Sequence, residues 1–231
     1  MKRIHPAFKN FILNDALMKW DQFLKEENPE SGIEAGTCFS TSNAFCSIFD
    51  NDLGIPCKVA LVETTIGNAK ARELFNKKIN ERKFGEFWTD MSEFNKTKPK
   101  EKLTPNDPVV IGMGHGDDVH NFHFIMNLYQ QNEAVDLTLR HIQRPQWGIS
   151  CNNYWAKYIT EGWYEARAKG DRNFFISPEI MSKSGCVLIN ATKKTSATVH
   201  LNADEYTRNI IKLRDYIGEQ IQKRNIPVFM R

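Results

Sequence analysis

Apolar positions along this chain follow two patterns, a helical spacing of three and four and short dense runs. The first helical stretch covers about residues 8–25. There Phe8, Phe11, Ile12, Ala16, Trp20, Phe23 and Leu24 share one stripe. Asn28-Pro29 ends it, and Ser31-Gly32 turns the chain. The second stretch, 36–62, reads as loop, helix, turn and strand. Thr37 is the expected N-cap, because its hydroxyl accepts from a first-turn N–H. Phe45, Ile48, Phe49 and Leu53 make the apolar stripe, and Gly54 with Pro56 stops the helix. Val59-Ala60-Leu61-Val62 then predicts a short buried strand.

A polar stretch follows from 64 to 104. Within it Ala71, Leu74, Phe75 and Ile79 predict one helix over 67–81, and Phe84, Phe87, Trp88, Met91 and Phe94 predict another. The Lys-rich run at 96–102 reads as a solvated loop. Val109-Val110-Ile111 is a buried strand leading into a glycine-rich, flexible loop at 112–118. Residues 119–128 are rich in aromatic and β-branched side chains and predict a strand. Gln130 to Glu133 predicts a hairpin loop, and 134–139 the returning strand. Trp147, Tyr154, Trp155, Tyr158, Trp163 and Tyr164 crowd 146–168, as core packing or as the lining of a peptide or glycan groove. Phe174 to Ile176 and Cys186 to Ile189 read as strands or buried segments. Tyr206, Ile210, Leu213, Ile217 and Ile221 place a long helix at about 202–224.

Composition narrows the class. The chain has 231 residues, 41% hydrophobic and 26% charged, which suits one folded domain with insertions. Its 31 basic and 28 acidic residues leave a net charge of +3, too balanced for a nucleic-acid or anionic-membrane surface. Glu86, Asp90 and Glu93, set among the aromatics of 84–94, also argue against a phosphate partner. The five cysteines form no C-x-x-C pair and no zinc-finger spacing, and an odd number suits a reducing compartment. The first residues lack the apolar core of a signal peptide. No apolar run approaches the ~20 residues that span a bilayer. These features together predict a cytoplasmic protein.

The candidate chemistry begins at Cys38. It sits at a helix start, among small and polar neighbours, where N–H groups and the helix dipole favour the thiolate that attacks carbon. Cys46, Cys57 and Cys186 sit among apolar neighbours and read as buried structural thiols. Antiparallel pairing about Gln131 brings Asp136 within a few residues of His123. Facing or diagonal Cβ atoms are about 4.5–8 Å apart, close enough for a carboxylate to reach an imidazole. An Asp so placed orients the ring, and the ring serves Cys38 as base. His115, Asp117, Asp118, His120 and His141 are weaker candidates as metal ligands, since they match no ligand geometry and His120-x-x-His123 splits across a strand. Gln22 and Asn28 are amides that could assist an oxyanion, although a surface role suits both better.

These residues resemble the transglutaminase-like, papain-like cysteine peptidase superfamily. The resemblance rests on Gly36-Thr37-Cys38, the helix ending in Leu53-Gly54-Ile55-Pro56, and the following strand. It continues through His123-Phe124-Ile125-Met126-Asn127-Leu128 and Val135-Asp136-Leu137-Thr138. It implies an α+β fold, with a Cys-bearing helix packed on an antiparallel sheet carrying His and Asp. The whole of 1–231 would then be one such domain, with a helical insertion at about 65–104 and a C-terminal helix. It also implies Cys38 as nucleophile, His123 as base and Asp136 as orienting acid. The expected function is a cysteine hydrolase cleaving a peptide or isopeptide amide through an acyl-enzyme. The alternatives are acyl transfer by the same triad and a catalytically silent binding or structural member. Arylamine N-acetyltransferases share the order of the three residues, but their Gly/Arg-rich nucleophile loop is missing here. The reading needs no cofactor and no metal, and its partner is a protein or peptide substrate.

Overall fold

The computed structural model describes residues 2–27, 37–113, 123–150, 152–157, 173–175, 186–191 and 203–230. The chain opens with α1 (Pro6–Phe11), a π-helical turn (Ile12–Ala16) and α2 (Leu17–Glu27). His5 caps α1, its Nδ1 accepting from the Ala7 N–H at 3.1 Å, and Pro6 follows at the first helical position. The single helix expected over 8–25 therefore carries a wide turn in its middle. Asn14 supplies a local reason. Its Nδ2 donates to the Asn10 carbonyl at 2.8 Å, which competes with the backbone ladder at that point. Ile12 and Ala16 stay buried through the turn, so the apolar stripe is preserved.

The next helix, α3 (Thr37–Asn51), buries Phe45, Ile48 and Phe49 as the spacing predicts. Burying each such side chain contributes about 1.5–3 kcal/mol. Thr37 is already helical and so is not the N-cap expected of it; the position before it lies outside the described residues. The stop is as expected. Gly54 has φ +61°, and the Ile55 N–H turns back to the Phe49 carbonyl at 2.8 Å.

The following strand, β1 (Lys58–Gly67), spans 10 residues and is much longer than the expected 59–62. Glu63-Thr64-Thr65 ends the apolar run, but threonine favours strands and this backbone is paired along its length. Six further strands are described: β2 (Val110–Met113), β3 (His123–Leu128), β4 (Glu133–Asp136), β5 (Tyr154–Lys157), β6 (Asn173–Phe175) and β7 (Cys186–Ala191). The order is β5-β4-β3-β1-β7-β6, with β2 also on β1, and every pairing is antiparallel. Within β1, Lys58 to Val62 pair with β3, and Thr64 to Gly67 pair with β2.

Between β1 and β2 lie α4 (Ala69–Asn80) and α5 (Phe84–Thr97), the two helices that the apolar spacing predicts. Phe75 and Phe87 meet edge to face at 5.1 Å and hold the two together. Buried Asn68 fastens the base of this helix pair. Its Oδ1 accepts from the Ala71 and Val109 N–H groups, and its Nδ2 donates to the carbonyls of Asp107 and Trp147. The last helix, α6 (Ala203–Lys223), buries Leu213 and Ile217 as its periodicity predicts.

Two cores sandwich the sheet, and the alternation of strand residues assigns each to one of them. Met126, Leu128, Val135 and Trp155 join residues of α1, α2, α3 and α6. Ile125, Ala134, Tyr154 and Ala156 join Val109, Leu139 and Ile149 on the other side. Trp155 is thus a core residue, and Trp147 packs half-buried against the second core. Tyr158, Trp163 and Tyr164 lie outside the described residues, as do the loop 114–118 and the start of the strand expected at 119–128. The fold is α+β, with helices packed on an antiparallel sheet. No helix among the described residues is long and apolar enough to cross a membrane.

Candidate functional site

Three elements converge where α3 begins. The first turn of α3 meets the start of β3. Phe39 and Phe124 pack edge to face with centroids 5.0 Å apart, and Ser42 Oγ donates to the Phe124 carbonyl at 3.1 Å. Those contacts set Cys38, the second residue of α3, beside His123, the first residue of β3. The Cys38 side chain is close enough to the His123 ring to raise the pKa of that ring. The thiol is half-buried, whereas the ring is 3% exposed, so the sulfur is the accessible face of the pair.

The β3–β4 hairpin supplies the third group. Gln131 N–H closes the turn on the Leu128 carbonyl at 2.9 Å, and Asn132 takes φ +53°. The register pairs Met126 with Val135 and Leu128 with Glu133. Continued by one residue, it sets Asp136 opposite Ile125 and so diagonal to His123 on the same side of the sheet. His123 Nε2 donates to Asp136 Oδ2 at 2.6 Å, which leaves Nδ1 for Cys38. Asp136 is fully buried. Its other oxygen, Oδ1, accepts from the Thr138 N–H at 3.0 Å and the Thr138 hydroxyl at 3.4 Å. One oxygen is thereby held by the chain itself, and the other is aimed at the imidazole.

The electrostatics follow from this arrangement. Burial favours the neutral ring and pulls the His123 pKa down. The Asp136 charge, its hydrogen bond and the contacts with Cys38 act the other way and outweigh burial. The result is a pKa pushed up from 6.5 to about 10. At neutral pH His123 is therefore an imidazolium between the Asp136 carboxylate and the Cys38 sulfur.

Side chains behind the site hold α3 in place. Trp20 Nε1 donates to Thr41 Oγ1 at 2.9 Å. The Tyr206 hydroxyl donates to the Ser40 carbonyl at 2.9 Å and accepts from Asn43 Nδ2 at 3.0 Å. Burial pushes Tyr206 up to about 12, which keeps its proton available for that bond. Just past β4, Arg140 forms an ion pair with Asp21 on α2, and its N–H donates to Asn153 Oδ1 at 3.0 Å.

The structure thus brings together Cys38, His123 and Asp136. It does not bring Gln22 to them. That side chain is exposed, donating to Glu26 at 2.9 Å and accepting from Lys19 at 3.0 Å. Asn28, His115, Asp117, Asp118 and His120 lie outside the described residues. No group of three or more metal-ligating side chains occurs among the described residues. Sequence reasoning missed the part played by Thr138, although Asp-x-Thr is a readable signal for a carboxylate that turns onto the backbone two residues on. It also missed Tyr206, which lies 166 residues from its acceptor Ser40 and leaves no local trace.

No protein-family model matches this chain, and neither the curated proteins nor the solved structures hold a significant match to it.

Proposed function

We propose that the chain is a cysteine hydrolase that cleaves a peptide or isopeptide amide through an acyl-enzyme, with a papain-like core. The observation that carries this reading is the unbroken contact from the Cys38 thiol through the His123 ring to the Asp136 carboxylate. The sequence resemblance supports it from the order of the same three residues.

The steps follow from the geometry. The His123 imidazolium is the charge partner that a thiolate needs, so Cys38 Sγ attacks the substrate carbonyl carbon as the anion. Negative charge moves to the carbonyl oxygen. The Cys38 N–H, in the first turn of α3 where the dipole favours an anion, stabilises it. As the C–N bond breaks, His123 gives its proton to the leaving amine. A water then loses a proton to the neutral ring and attacks the thioester, which releases the acid and regenerates the thiolate–imidazolium pair. Asp136 keeps the ring in one orientation and offsets its charge.

The test is a peptide and isopeptide substrate screen on wild type and Cys38→Ala. Cleavage by wild type alone, with a trapped thioester on Cys38, is the expected result. Cleavage retained by Cys38→Ala, or a Cys38 that iodoacetamide modifies no faster than Cys46 and Cys57, sinks the reading. Supplying an amine acceptor separates hydrolysis from acyl transfer, since the two diverge only at the second acceptor.

A further inference from the structure

Two aromatic rings stand beside the candidate site. Phe39 follows Cys38 in α3, and Phe124 follows His123 in β3. Their centroids are 5.0 Å apart and their planes meet at 74°. Both rings are half-buried, and neither is part of the two cores that sandwich the sheet. Among the described residues, every other ring pair has at least one ring buried. Phenylalanine is ordinarily an inside residue. This pair holds α3 against β3 and still leaves part of both rings open to water, next to a thiol that is half-buried too.

We infer that Phe39 and Phe124 form an apolar subsite beside the proposed nucleophile, which selects substrates with an aromatic or branched aliphatic side chain next to the scissile carbonyl. The inference rests on the hydrolase reading and names the substrate class of that site. Consecutive Cα atoms are about 3.8 Å apart, so each ring is rooted one residue from the group that attacks or the group that moves the proton. A substrate with its carbonyl carbon at Cys38 Sγ brings its nearest side chains within reach of the rings. An edge-to-face pair offers a ring face and a ring edge, and an apolar or aromatic group that covers them removes both from water. A charged side chain there gives up its own water, and the rings offer it no hydrogen bond.

The experiment needs no known substrate. The folded full chain is alkylated at neutral pH with iodoacetamide and with its N-phenyl derivative, and glutathione is the open reference thiol. The ratio of the two rates at Cys38, read by peptide mass, is divided by the same ratio for glutathione. A preference for the phenyl reagent of about tenfold is expected, the scale on which an apolar pocket separates ligands. Phe39→Ala and Phe124→Ala should each remove most of that preference. Phe39→Leu and Phe124→Leu, which keep an apolar side chain, should retain most of it. Among substrates from the screen, Leu or Phe beside the scissile carbonyl should raise kcat/KM about tenfold over Asp or Lys there. A wild-type ratio equal to that of glutathione, with Cys38 still the fastest cysteine, overturns the inference and leaves the hydrolase reading standing. So does a preference that survives both alanine substitutions. A Cys38 that neither reagent modifies faster than Cys46 and Cys57 sinks the hydrolase reading, and the subsite falls with it.

Discussion

Two buried carboxylates stand three residues apart on β4, and their surroundings make them different groups. Glu133 faces the helical core. Its oxygens are held by Lys9 Nζ at 2.6 Å and Trp155 Nε1 at 2.6 Å, and the Lys9 ammonium also lies over the Trp155 ring. Lysine keeps its charge across the working pH range, and an indole N–H only donates. The cluster can therefore anchor α1 to the sheet and do nothing else. Asp136 faces the other way and meets a ring that titrates, which in turn meets a sulfur. Burial alone did not make that carboxylate a candidate for chemistry. Its partner did, because only Asp136 is joined to a group that can pass a proton on.

The largest effect should fall on Cys38. Cys38→Ala is expected to reduce amide turnover to background, measured on whichever substrate the screen yields. Next come the two residues behind it. His123→Ala and Asp136→Asn are expected to slow turnover by about 10²–10⁴-fold, as loss of an orienting acid or base does in such triads. Glu133→Gln is the contrast. It should cost about 2–3 kcal/mol in the denaturant midpoint, through the lost charge-assisted hydrogen bonds, and leave the alkylation rate of Cys38 unchanged. A Glu133→Gln enzyme as slow as Asp136→Asn would erase the distinction between the two carboxylates.

The pH dependence of stability separates them again. The folded pKa of His123 is raised, so its protonated form is bound more tightly in the folded chain than in the unfolded one. That stabilisation is fully present below about pH 6.5 and is lost as pH rises through about 10. The stability gap between wild type and Asp136→Asn should therefore narrow across this window. The gap for Glu133→Gln carries no such contribution, because Glu133 is bonded to Lys9 and Trp155 and not to His123. The smallest effect is expected at Tyr206→Phe. Losing the bond to the Ser40 carbonyl should cost about 1 kcal/mol and slow Cys38 alkylation only a few-fold.

Much of this was legible in the sequence where the signal was local. The α3 stripe, its glycine stop and the hairpin at Gln130 to Glu133 are short-range features. Together they suffice to set Asp136 against His123, because a hairpin turn fixes its own register. The rest depends on distance. β1 runs past its apolar core because Thr64 and Thr65 find strand partners 47–49 residues further on, which a polar run does not announce. The π turn at Ile12–Ala16 keeps the apolar stripe intact and so is silent in the pattern. Trp155 reads equally well as core or as groove until the Lys9–Glu133 cluster is seen beside it. Cys46 and Cys57 each read as a solitary buried thiol, and only the turn at Gly54 folds one onto the other.

The most direct test is the rate of iodoacetamide modification at each cysteine of the folded protein, followed from pH 5 to 10 in wild type, His123→Ala and Asp136→Asn. The account predicts that Cys38 in wild type reacts fastest at neutral pH, and that both substitutions move its rise to higher pH. A Cys38 profile identical in all three proteins would contradict it.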